Sequence, residues 1–139
     1  MKISITPALS HEALYNKSKL YIKRGLQAKH NKNGEEYQLW ASLALELLAK
    51  FSLSSIHPSL IADPTHQNSI FAACCVKSSS DIKTIPAKTL FDRLSHILEK
   101  FDTRVKNFCD QLSLQRNAEL HSEYLPHLLK KIFLILYYQ

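Results

Sequence analysis

Glycine is scarce in this chain. Only Gly25 and Gly34 occur in 139 residues. An all-β fold needs more turn glycines than that, so helices joined by polar loops are expected. No Gly-rich loop precedes a helix, which argues against a P-loop or Rossmann nucleotide site. Cysteine is also sparse: there are three, and Cys74 and Cys75 are adjacent. Neighbouring cysteines rarely bridge, and the spacing matches neither a disulfide framework nor a zinc knuckle, so a cytoplasmic protein with free thiols and no structural metal is expected. Long apolar runs are missing at both ends of the chain. Met1 to Ser10 lacks the apolar core of a signal peptide. Ile132 to Tyr138 is far too short to span a bilayer, so no membrane partner is expected.

What is present is ordinary for a single globular domain. Apolar residues make up 45% and charged residues 22%, and residues 1–139 are enough for one core without disulfides or metals. The formal net charge is +6, and the lysines are spread along the chain rather than bunched. Such a balance fits either a polyanionic partner, most simply nucleic acid, or a solvated surface with a lysine excess.

Helical periodicity organises most of the sequence. A first helix is expected from Ser10, as its cap, to about His30, with Glu12 in the first turn. Asn31-Lys32-Asn33-Gly34 reads as a turn. A second helix should run from Glu35 to about Ser54, with Trp40, Leu43, Leu47 and Phe51 as its apolar stripe. The prolines between His57 and Pro64 interrupt the pattern. A short third helix is expected over Thr65 to Lys77. Pro86 or Ala87 opens a fourth, with Leu90, Leu94, Ile97, Leu98 and Phe101 on one side. Asp102 or Thr103 caps a fifth, whose buried stripe is Val105, Cys109 and Leu112. Pro126 suits the first turn of a last helix. The sum is an all-α, up-and-down bundle of about five to six helices.

The fifth-helix stripe leads into a polar segment. Four residues beyond Leu112 the core-facing slot holds Arg116, and three further it holds Glu119. An arginine there is costly unless it is paired or lines a cleft; otherwise the bundle ends at this level and Arg116 is solvated. In an unbroken helix His121 lies about 140° round from Arg116, so the two face one cleft only if the helix loosens near Leu120. Ser122 and Pro126 make such an ending reasonable. Glu46, beside the apolar stripe of the second helix, has two natural partners: Arg116, or Lys50 one turn along its own helix.

The other polar residues carry less. His57, His66 and His127 have no ligand-like spacing with Cys74 and Cys75. His96 reads as a boundary residue. Tyr15, Tyr21 and Tyr37 are either core-edge packing or base-stacking groups.

The segment Arg116-Asn117-Ala118-Glu119-Leu120-His121 resembles the ribonuclease motif of HEPN domains: an arginine, a spacer of roughly four to six residues that opens on a polar one, then a histidine. The stretch Leu39 to Leu48, with Glu46, resembles a HEPN second helix. The resemblance spans most of the chain but is specific only over those two segments. It implies a helical homodimer that brings two motifs to one cleft and cleaves RNA without a metal or other cofactor, in the manner of a toxin or defence effector. On that resemblance His121 is the proton-transfer group, Arg116 stabilises the scissile phosphate and Asn117 orients the pair, while Glu46 supports Arg116. An antitoxin or regulatory protein would then be a further partner. The alternative is a non-catalytic dimeric module that binds RNA, a nucleotide or a protein.

Overall fold

The structure is a computed structural model, and it describes residues 5–114 and 125–137. Within them lie six helices and no strand: α1 (His11–His30), α2 (Gly34–Ile56), α3 (Gln67–Ala73), α4 (Ala87–Ile97), α5 (Thr103–Leu114) and α6 (Leu125–Tyr137). The all-α bundle expected from the sequence is the observed architecture.

α1 and α2 form an antiparallel hairpin. Ser10 caps α1 by accepting from the Ala13 amide, and Asn33 caps α2 by accepting from the Glu36 amide at 3.2 Å. The tight link between them passes through the left-handed region at Lys32 (φ 57°), not at Gly34, which begins α2. The register of the hairpin follows from its contacts: Tyr15 meets Phe51, and Gly25 meets Trp40 and Ala41.

α2 is the hub. It packs against α1, α4, α5 and α6, and is therefore wrapped on several sides. Its core residues are Ala41, Ala44, Leu45, Leu48, Ala49 and Leu53, with the small polar Ser42, Ser52 and Ser54 buried among them. Trp40, Leu43, Leu47 and Phe51, the expected core stripe, lie instead along its half-buried edge. α2 is long and apolar enough to cross a membrane by length and composition, a property the sequence reading did not register. Half of that stretch is buried inside the bundle, as befits a core helix.

Between α2 and α4 the chain makes a closed excursion. A 3-10 turn at Pro58–Leu60 leads to α3, and a single bridge between Ala62 and Thr84 shuts the loop. The Ile85 amide donates to the Ile61 carbonyl at 3.0 Å, and the Asp63 amide to the Lys83 carbonyl at 2.9 Å. Ile61, Ala62 and Ile85 are buried at this closure. α3 is shorter at both ends than the period suggests, because Asp63 and Thr65 form a turn before it and Cys75 adopts a positive φ after it.

α4 and α5 form a second antiparallel pair. Asp102 caps α5 by accepting from the Val105 amide at 3.0 Å. Phe91 and Phe101, both fully buried, stack with centroids 6.3 Å apart. Burying each phenyl ring contributes about 1.5–3 kcal/mol. Val105, Cys109 and Leu112 are buried as expected, while Ile97 ends up exposed because α4 terminates there.

Candidate functional site

Arg116, Asn117 and His121 fall between the end of α5 and the start of α6, outside the described residues. The helices that flank them are both seated on α2. Glu46 is within the described residues and sits half-buried on α2, facing α5. Its Oε1 accepts from the Ser113 hydroxyl of α5 at 3.0 Å. A carboxylate placed between two helices is thus held by a hydrogen bond one turn before Arg116. Lys50, the alternative partner considered for Glu46, sends its ammonium elsewhere, donating to Thr84 Oγ1 at 3.1 Å. Burial, and secondarily Lys17, push the Lys50 ammonium below the usual lysine range.

α5 presents a further polar group near this end. Asp110 pairs through Oδ2 with Lys106, one turn back, at 3.6 Å. Its other oxygen is buried and has no hydrogen-bond partner among the described residues. Beside it Cys109 is fully buried, and burial, then the Asp110 charge, drive its thiol far above the ordinary range. It stays a neutral core thiol rather than a nucleophile.

A serine–histidine–aspartate chain lies elsewhere, in the closed excursion. Ser69 Oγ is 2.6 Å from His66 Nδ1, and His66 Nε2 is 3.2 Å from Asp81 Oδ2. The residue types suggest a nucleophile and its base. The geometry gives them another task. Ser69 is completely buried, and its oxygen also accepts the Lys83 amide at 2.7 Å. An oxygen with no exposure cannot reach a substrate carbonyl. The chain of bonds ties α3 to the returning segment of the loop. His57 is similarly structural: its Nδ1 accepts from the Ser59 amide and caps the 3-10 turn. Among the described residues, no three His, Cys, Asp or Glu side chains converge as a metal site would require.

The three tyrosines singled out from the sequence fall along the α1–α2 seam. Tyr15 packs on Phe51 (5.2 Å) and on Tyr137 of α6 (5.3 Å), with Lys19 over its ring. Tyr21 lies 5.1 Å from Trp40. The Arg24 guanidinium sits 4.9 Å from the Trp40 ring and 5.8 Å from that of Tyr21, and Lys17 lies 5.7 Å from Tyr21. Lys29 lies over Tyr37 at 5.8 Å. Sequence reasoning missed this cation–aromatic ladder. The Lys17–Tyr21–Arg24 spacing of four and then three residues is the signal that could have found it.

No protein-family model, curated protein or solved structure matches this chain.

Proposed function

We propose that the chain is a cytoplasmic, metal-independent endoribonuclease of the HEPN type, acting as a homodimer in the manner of a toxin or defence effector. The observation that carries the reading is the Glu46–Ser113 hydrogen bond. It holds a half-buried carboxylate of α2 against the last turn of α5, immediately before the Arg116-to-His121 segment. A half-buried carboxylate at that level is a fitting electrostatic partner for an arginine. The all-α bundle and the three free thiols agree with the same reading.

In this mechanism His121 removes the proton from a ribose 2′-hydroxyl, a task suited to an imidazole that titrates near neutrality. The 2′-oxygen attacks the adjacent phosphorus, and the bond to the 5′-oxygen breaks. Arg116 offers its planar fork to the charge that builds on the phosphate oxygens. Asn117 orients the arginine or the phosphate. The departing 5′-oxygen takes up a proton, so the products are a cyclic 2′,3′-phosphate and a 5′-hydroxyl. A second copy of the chain brings a second motif to the cleft, and an antitoxin or regulatory protein would act by covering it.

The test is cleavage of single-stranded RNA in the presence of EDTA. His121→Ala is expected to lose about a hundredfold or more in rate, and Arg116→Ala a comparable amount. Cleavage by His121→Ala at the parent rate would refute the catalytic assignment. The non-catalytic RNA-binding module would then replace it, favoured by the basic and aromatic face of α1.

A further inference from the structure

Electrostatics along α1 are one-sided. The helix carries Lys17, Lys19, Lys23, Arg24 and Lys29 against the single carboxylate of Glu12. Among the described residues, none of these five cations lies within ion-pair distance of a carboxylate; the ion pairs there involve His66, His96 and Lys106 instead. Four of the five are laid over aromatic rings. A cation–π contact orients a cation and restricts its side chain, but leaves its charge unneutralised. The seam therefore presents positioned positive charge and aromatic faces together.

We infer that the Lys17–Tyr21–Arg24–Trp40 ladder is a docking surface for single-stranded nucleic acid, an inference that stands independently of the catalytic reading. Three features select this partner. Arg24 is exposed and planar, so its outer face and edge can stack on a base and fork onto a phosphate while its inner face rests on Trp40. Glu36 holds the indole in place, accepting from Trp40 Nε1 at 3.2 Å while its other oxygen accepts from Asn33 Nδ2 at 3.1 Å. Lys17 and Arg24, seven residues apart, lie within about 20° of each other round the helix and about 10 Å apart along it, which places two cations on the Tyr21 side to meet neighbouring phosphates of one strand.

An anionic lipid surface would also attract these charges, but it requires a free apolar helix face. The apolar face of α1, with Leu14, Gly25 and Ala28, is already buried in the bundle. The exposed Leu20 and Leu26 are six residues apart, about 120° round the helix from one another, and form no single face.

Trp40 is the sole tryptophan of the chain, so its emission reports on this surface alone. The experiment is a fluorescence titration with a ten-nucleotide oligouridylate over a range of salt. Saturable quenching is expected, because a base stacks beside the indole. The double variant Lys17→Gln/Arg24→Gln should lower the log–log salt slope by about 1.4, which at 0.1 M salt corresponds to about 25-fold weaker binding. His121→Ala should bind like the parent, which separates this proposal from the catalytic one. Retention of parental affinity and salt slope by the double variant, with its circular dichroism unchanged, would overturn the assignment. So would equally tight binding of a duplex without quenching, which would reduce the surface to undirected charge. Vesicles containing phosphatidylserine form the remaining arm. A blue shift of Trp40 with vesicles and no response to oligouridylate would give the surface to lipid instead.

Discussion

Gly25 offers a substitution whose sign can be worked out from the contact geometry. It lies buried in the middle of α1, with no positive φ to demand a glycine. An added Cβ would stand 3.4 Å from Trp40 Cβ, 3.8 Å from the Ala41 amide nitrogen and 3.8 Å from Tyr37 Cδ2. These are ordinary contacts, the first at the tight edge of the range. Alanine in a helix interior is favoured over glycine by about 0.8–1 kcal/mol. Gly25→Ala is therefore expected to raise stability by about 0.5–1 kcal/mol, the contact with Trp40 offsetting part of the propensity gain. Gly25→Val adds two methyl groups where Trp40 and Tyr37 already stand. Overpacking of that kind costs about 1–3 kcal/mol, and the β-branch adds a small helix penalty.

The two variants should thus move in opposite directions. Urea unfolding followed by far-ultraviolet circular dichroism reads the sign directly, and Trp40 emission reads the local displacement. Gly25→Val should also disturb the Tyr21–Trp40 contact and with it the proposed docking surface. A loss of more than about 1 kcal/mol in Gly25→Ala would mean that α1 and α2 approach more closely than described. A neutral Gly25→Val would mean that they do not touch at this level.

Ser69→Ala removes both the acceptor of the Lys83 amide and the partner of His66 Nδ1. It should cost about 1–3 kcal/mol in chemical denaturation and leave the proposed RNA cleavage untouched; an unaltered stability combined with a loss of that cleavage would restore Ser69 as a nucleophile. Cys109 should resist an aromatic disulfide reagent in the native protein and react only on unfolding, while the exposed Cys74 labels at once. Because its folded thiol pKa is raised, Cys109 contributes stability that is present below the ordinary thiol pKa of about 8.5 and lost as pH rises above it. The stability advantage of the parent over Cys109→Ala should accordingly be flat below that pH and shrink above it.

The legible parts of the fold are those where one face of a helix meets the core. α5 is such a helix, and Val105, Cys109 and Leu112 follow its period down to the Asp102 cap. Leu90 and Leu94 on α4 behave the same way. α2 escapes this logic because four helices cover it. With several sides buried, large apolar residues no longer mark one stripe, and the tightest approaches use Ala41, Ala44 and Ala49, which carry little hydropathic signal. The large side chains Trp40 and Phe51 were displaced to the edge by the same close packing. For the candidate site, Glu46 stood out beside an apolar stripe, but its hydrogen bond to Ser113 joins residues 67 positions apart, a pairing that only the tertiary fold creates. The closure of the 62–84 loop is invisible in sequence for the same reason: it rests on main-chain bonds, which any residue can make.

α2 also explains why the two proposals can be tested apart. It carries Trp40 for the docking surface and Glu46 for the end of α5, six residues or about 9 Å along the axis and about 120° round it. The two side chains thus face different neighbours, α1 for Trp40 and α5 for Glu46. Neutralising Lys17 and Arg24 alters charge on an exposed face and leaves the α2–α5 contact in place. Removing His121 changes no residue of α1. If the chain captures RNA on the α1 face and cleaves it with His121, the first change should raise the RNA concentration needed for half-maximal cleavage and spare the rate at saturation. The second should do the reverse. A core substitution such as Leu45→Ala would confuse the two, since loosening α2 displaces both neighbours at once. Only variants that leave the α2 core intact can therefore show whether binding and chemistry are separately encoded.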